Sequence, residues 1–391
     1  MQRVLRARGV LGVVLVFATV VLGGVGNVLF GLCGPFTDVS DAVFCPFVLE
    51  IFYLGITTGT TATTYSPADN VTRLQMAAFL SRTVDGVLKR GSRRAALDQF
   101  WTSQNATVLG VTTLGGTQQL IRSDGADVWV PNSDSVSRVR ASDGKLLETW
   151  TGATAARSVV VAMGRVLVAG ETDPGRLYRI DPSQVAGSVT IVASNLGNSP
   201  VGIAFDGSRV WTANGGEGNN GVSIVTPGSS IPWTVTTVTA GFTSPFGALF
   251  DGANVWIADN VTGFLYKLDG VGAILQTVTL GAGAMFPTFD GSNIWVPQPG
   301  SNSVSVVRDS SGAVLATLTG NGLNGPRAAA FDGQRVLVTN TLGDSVSLWK
   351  AADFTPLGSF STGAGTSPLS ACSDGVSFWI TLFGANKLAR F

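Results

Sequence analysis

The 391-residue chain contains no histidine. That absence excludes imidazole metal sites, Ser-His-Asp and Cys-His catalysis, and histidine acid–base chemistry. Charge is also scarce: Asp, Glu, Lys and Arg make up 13% of the sequence, against about 25% in an ordinary soluble chain. The 25 acidic and 25 basic side chains cancel. No basic domain is available to neutralise phosphates, so nucleic acid is not an expected partner. Cysteine is limited to Cys33, Cys45 and Cys372. What the chain does have is apolar content of 45%, too much for a disordered polymer, and 50 glycines.

The first residues read as an export signal. Arg3, Arg6 and Arg8 precede an apolar run from Val10 to Leu22, followed by Gly23, Gly24 and Gly26. Basic, apolar and small residues in that order form a secretory signal over residues 1–26, with the cut after Gly26. A retained anchor is the alternative, because no charge lies between Arg8 and Asp38. On either reading the remaining chain is exported, to the cell envelope, cell surface or extracellular space, and touches membrane only through an uncleaved N-terminal segment. That compartment permits a Cys33–Cys45 disulfide, worth roughly 3 kcal/mol for so short a loop. Two free buried thiols are the alternative. Cys372 sits in an apolar strand and reads as packing.

Residues 33–90 read as a small helical module. Asp41 can cap a helix running to about Leu54, with Phe44, Phe47, Val48, Ile51 and Phe52 recurring on one face. Gly55-Ile56-Thr57-Thr58-Gly59 ends it. Thr72 and Gln75 have the spacing of a capping box at the start of a second helix. Met76, Phe79, Leu80 and Val84 are expected to be that helix's buried face.

Four segments in this module, Phe36-Thr37-Asp38-Val39, Gly55-Ile56-Thr57-Thr58-Gly59, Tyr65-Ser66-Pro67 and Val71-Thr72-Arg73-Leu74-Gln75-Met76, resemble one S-layer homology motif in order and type. The resemblance implies attachment to the cell envelope through an anionic wall polysaccharide. The family's Thr-Arg-Ala-Glu signature falls on Thr72, Arg73, Leu74 and Gln75, which makes Thr72 and Arg73 the implied polymer-binding residues. A guanidinium near a helix N-terminus suits carboxylate or phosphate. Leu74 and Gln75 depart from the signature, and one copy of the motif is present where the family often has three.

Residues 91–105 read as a linker that begins beside the basic cluster Lys89, Arg90, Arg93 and Arg94. Residues 106–391 are an internal repeat. Glycines at 125, 164, 207, 252, 291, 333 and 375 each close a turn, preceded by Asp in every copy except Met163-Gly164. The spacing is near 42 residues and the copies number seven. An apolar strand follows each turn, with tryptophan at 129, 211, 256, 295 and 379. Copy four reads as four strands: Phe246–Phe250, Asn254–Ala258, Gly263–Leu268 and Ile274–Leu280. Four short strands per repeat is the sequence pattern of a β-propeller blade. The expected architecture is therefore mainly β: a seven-bladed propeller whose last blade is closed by the upstream strand Thr107–Leu114. The repeated tryptophan is expected to pack between blades.

The repeats resemble the virginiamycin lyase and NHL/YVTN propeller group. The lyase branch is associated with a catalytic histidine, which this chain lacks, so no catalytic residue carries over. Candidate recognition residues are polar positions where second strands end on one propeller face: Asn132, Glu171, Asn214, Asp259, Asn260, Gln298 and Asn340. They could meet an unidentified protein or glycan. No metal site or cofactor is assigned, although such oxygen ligands would suit a hard cation such as calcium. The leading functional reading is a non-catalytic, envelope-associated propeller that binds or scaffolds a surface partner. The alternatives are a metal-dependent lactonase- or lyase-like enzyme and a structural S-layer subunit.

Overall fold

The computed structural model describes residues 33, 35–41, 43–53, 56–80, 111–216 and 220–391. The expected signal segment, the linker, Val84 and residues 107–110 lie outside the described residues. No helix among the described residues is long and apolar enough to cross a membrane. The chain divides into two compact units, Met1–Trp101 and Thr102–Phe391.

In the first unit, Asp41 accepts the Val43 amide at 2.8 Å and starts a helix, α1, over Cys45–Tyr53. Cys33 and Cys45 are disulfide-bonded, with Cα atoms 5.5 Å apart. The core is small: fully buried Phe36 meets Phe52 edge-on at 5.1 Å and Tyr65 at 5.5 Å, with Val39 and Val48 around them. A core of this size covers only one side of each helix. Val48, Ile51 and Phe52 of the expected face turn inward, but Phe44 and Phe47 are exposed. The second helix, at 73–80, shows the larger departure. Met76 and Leu80 are exposed, and only Phe79 of the expected buried face is half-covered.

The second unit is a ring of sheets. In copy four the strands are Pro245–Phe250, Val255–Asp259, Phe264–Leu268 and Ile274–Thr279, antiparallel in sequence order. Trp256 sits in register between Leu249 and Lys267. Each sheet is apolar on both faces at its second strand because neighbouring sheets cover it on both sides.

Seven inner segments form a closed circle. Arg122–Ser123 touches the long strand Leu146–Ala162, and contact passes through Pro200–Phe205, Pro245–Phe250, Thr288–Phe289, Pro326–Phe331 and Pro368–Ser373 back to the first. They pack so closely that a Cβ on Gly202 would stand 2.3 Å from the Phe246 carbonyl oxygen, and one on Gly247 2.4 Å from that of Met285. Only glycine fits there.

The expectation of seven separate four-stranded sheets needs correction. Five sheets are separate and four-stranded, while the first two repeats share one seven-stranded sheet. The shared member is Leu146–Ala162, whose first part pairs with Ser133–Arg140 and whose last part, Ala156–Ala162, pairs with Arg165–Gly170. The cause is local. Proline stands at the entry to four later inner strands, at 200, 245, 326 and 368, and offers no N–H to continue a ladder. The corresponding stretch Gly152-Ala153-Thr154-Ala155 has no proline, so the strand continues through a bend at Gly152 and Ala155, both at positive φ.

The final sheet holds both ends of the unit. Val111–Thr113 pairs with Lys387–Arg390, Val111 opposite Ala389, and completes the sheet of Phe378–Leu382 and Pro368–Ser373. The upstream segment closes the last blade, as its sequence position suggests.

Candidate functional site

Two regions hold the candidate residues, one in each unit. In the module, the Asp38 carboxylate accepts the backbone amides of Tyr65 at 2.8 Å and Ser66 at 2.7 Å. The Tyr65 amide is the main reason its pKa lies below the ordinary carboxylate value. This clamp ties the Phe36-Thr37-Asp38-Val39 segment to Tyr65-Ser66-Pro67. The capping box is formed: the Thr72 amide donates to Gln75 Oε1 at 2.8 Å, and the Gln75 amide donates to Thr72 Oγ1 at 3.2 Å. Glutamine therefore substitutes for glutamate as the box partner. Arg73 opens the helix, is exposed, and its side chain has no hydrogen bond or ion pair among the described residues. An exposed guanidinium at the positive end of a helix suits an anion.

On the ring, most of the face residues are buried and already engaged. Asn132 donates to Ser137 at 2.8 Å, Asn214 to Ser223 at 3.0 Å, and Asn340 to Ser347 at 2.8 Å. Gln298 accepts from Ser305 at 2.6 Å. In four repeats the carboxamide that ends the second strand thus holds a serine of the third. Asp259 is fully buried and accepts the amides of Thr243, Ser244 and Thr262 and the Thr262 hydroxyl, all within 3.1 Å. Four donors occupy the lone pairs of that carboxylate, which leaves it no ready site for a cation. Among the described residues, no three acidic or cysteine side chains converge as a metal site.

Glu171 is exposed and lies 3.5 Å from the Arg157 guanidinium, which also donates to Gln119. Asn260 donates to the Met285 sulfur at 3.3 Å. Arg157 stands next to Ser158 on the inner circle, and Arg327 next to Ala328. Burial pushes the Arg327 guanidinium below its ordinary pKa, and the Arg157 charge adds to the effect. Glu171 is thus the exposed candidate that the fold pairs with an arginine beside the inner circle.

The strongest repeated geometry is one the sequence reading did not use. In five of the six Asp-Gly turns the aspartate accepts the indole N–H of the tryptophan five residues on: Asp124–Trp129 at 2.9 Å, Asp206–Trp211 at 2.8 Å, Asp251–Trp256 at 2.6 Å, Asp290–Trp295 at 2.8 Å and Asp374–Trp379 at 2.8 Å. Its other oxygen accepts backbone amides two and three residues on, as Asp251 does from Ala253 and Asn254. In these turns glycine alone takes positive φ, whereas in Met163-Gly164 both residues do. The aspartate is there as an acceptor, and the tryptophans are fully buried packing residues. The fixed five-residue interval was visible in the sequence and would have found the pair.

Comparison with known proteins assigns the two units separately. A model of the S-layer homology domain matches residues 35–77. No curated protein matches the chain. Similar solved structures include selenomethionine-substituted virginiamycin B lyase from Staphylococcus aureus, at 16% identity and TM-score 0.59, covering 72% of this chain and 97% of that one. Kuenenia stuttgartiensis hydrazine synthase is similar at 16% identity and TM-score 0.61, with 72% and 96% covered. The WD40 β-propeller domain of Doa1 is similar at 14% identity and TM-score 0.60, with 74% and 97% covered. At these identities the likeness establishes a propeller fold and no activity.

Proposed function

We propose that the protein is an exported, envelope-attached propeller that binds or scaffolds a surface partner. Its S-layer homology module holds it to an anionic cell-wall or envelope polysaccharide, and its ring meets a protein or glycan. The observation that carries this reading is Arg73. It is exposed, its side chain has no ion pair among the described residues, and the capping box places it at the first turn of a helix, inside the segment that matches the S-layer homology domain. The Cys33–Cys45 disulfide agrees with export. We read the seven-stranded sheet as two blades joined through Leu146–Ala162, which gives a seven-bladed ring. The enzyme reading gains no support, because the carboxylate best placed for a cation, Asp259, is saturated by protein donors.

The test is co-sedimentation of full-length protein with purified envelope. Arg73→Ala is expected to weaken retention at least tenfold, by loss of a charge-assisted contact, with the ring's melting transition unchanged. Equal retention of the variant would remove Arg73 from the attachment site.

A further inference from the structure

At the end of the ring that carries the Asp-Gly turns, the junctions between repeats are not alike. Three junctions between repeats are bridged there by a basic side chain that reaches the turn between the third and fourth strands of the next repeat. Arg209 of the third repeat donates to the Gly270 carbonyl of the fourth. Lys267 of the fourth donates to the Asp309 carbonyl of the fifth at 3.1 Å. Arg390 of the last donates to the Ser142 carbonyl of the first at 2.9 Å.

The bridging side chains come from two positions. One is three residues after the turn aspartate, as in Arg209. The other is the register partner of the tryptophan, as in Lys267 opposite Trp256 and Arg390 opposite Trp379. In the fifth repeat those positions hold Asn293 and Val306. Asn293 is too short to cross. It turns back to donate to its own Asp290 at 3.0 Å, and its Oδ1 is buried without a partner.

The junction to the sixth repeat is therefore open. A groove of about 740 Å³ lies there, against about 120 Å³ at the Arg209 junction. Volumes of this order accommodate small ligands. Its charge is one-sided. Arg308 lines the groove, and its side chain has no hydrogen bond or ion pair among the described residues. Lys350 is exposed, with only a loose 3.6 Å contact to Asp353. The one acid on the wall, Asp290, is saturated by Ser292, Asn293 and Trp295. Leu357 and Ala351 supply an apolar flank.

We propose that this groove is a binding site for a small ligand carrying a carboxylate or phosphate, anchored by Arg308 and assisted by Lys350. A planar guanidinium with five uncommitted donors suits either oxyanion. The site is in the ring and is independent of polymer attachment, so Arg73→Ala should leave it unaffected.

Titration calorimetry of the full-length chain with D-glucuronate and with inorganic phosphate tests the proposal. Saturable, salt-sensitive binding of at least one is expected, and which one binds identifies the recognised group. Arg308→Gln should weaken it at least tenfold. Asn293→Arg, which restores a bridging arginine, should weaken it by closing the groove, while Arg209→Gln should not. If neither anion saturates, or if Arg308→Gln binds as the parent does, the assignment is wrong. Should Asn293→Arg fail to fold, Arg308→Gln decides alone.

Discussion

Asp251 shows how one side chain sets a whole hairpin. Its carboxylate takes two backbone amides and the indole of Trp256, which is fully buried in the ring. Removing the carboxylate leaves a buried indole donor unmet, a loss of about 2 kcal/mol. Asp251→Ala should therefore lower the unfolding free energy by that order, measured by chemical unfolding. The decisive comparison is a cycle with Trp256→Phe, in which the second deletion should matter much less. Equal losses in both backgrounds would separate the aspartate from the indole. The sequence showed the Asp-Gly pairs and the tryptophans as separate signals. It did not show that they are one device, because turn chemistry alone already accounted for Asp-Gly. At the same scale, the carboxamides expected to meet a ligand proved to hold serines of the adjacent strand. Polar residues at strand ends look alike in sequence whichever role they have, and only burial separates them.

At the scale of elements, the connections into inner strands depend on aspartates. Asp344 accepts the amide of Ser367 at 2.7 Å and that of Gly365, tying the sixth repeat to the entry of the seventh. The Ser367 amide is the main cause holding its carboxyl below the ordinary range. At Asp206, burial opposes ionisation, but hydrogen bonds from Trp211, Arg209 and Ser208 outweigh it, and its pKa is also lowered. A carboxyl with a lowered folded pKa contributes stability that is complete above its unfolded value of about 3.9 and is lost as pH falls through the folded value. The unfolding midpoint should be flat from about pH 7 to about pH 5 and decline below about pH 4. Asp344→Asn should remove part of that decline, and an unchanged acid profile in the variant would contradict the assignment. Strand positions in copy four were legible to within about a residue because apolar runs and turn residues agree there. The fusion of the first two repeats was not, because it depends on the absence of proline at a connection that still reads as a loop. The module's helices were legible in place but not in burial, since periodicity marks a face without saying whether a neighbour covers it.

For the whole molecule, the ring was legible because a period near 42 residues repeats through the chain, and no open stack could satisfy its end strands. Pairing of Val111–Thr113 with Lys387–Arg390 closes the circle and makes the second unit one body. Such a ring offers rigid faces, while attachment is the role we propose for the small disulfide-linked unit. The central claim is this division of labour, with polymer contact confined to the module. Hydrogen exchange on the full-length chain, with and without isolated envelope polysaccharide, tests it most directly. The account predicts slowed exchange within residues 56–80, centred on Thr72 and Arg73, and unchanged exchange across 111–391. Protection in the ring alone, or nowhere, would contradict it.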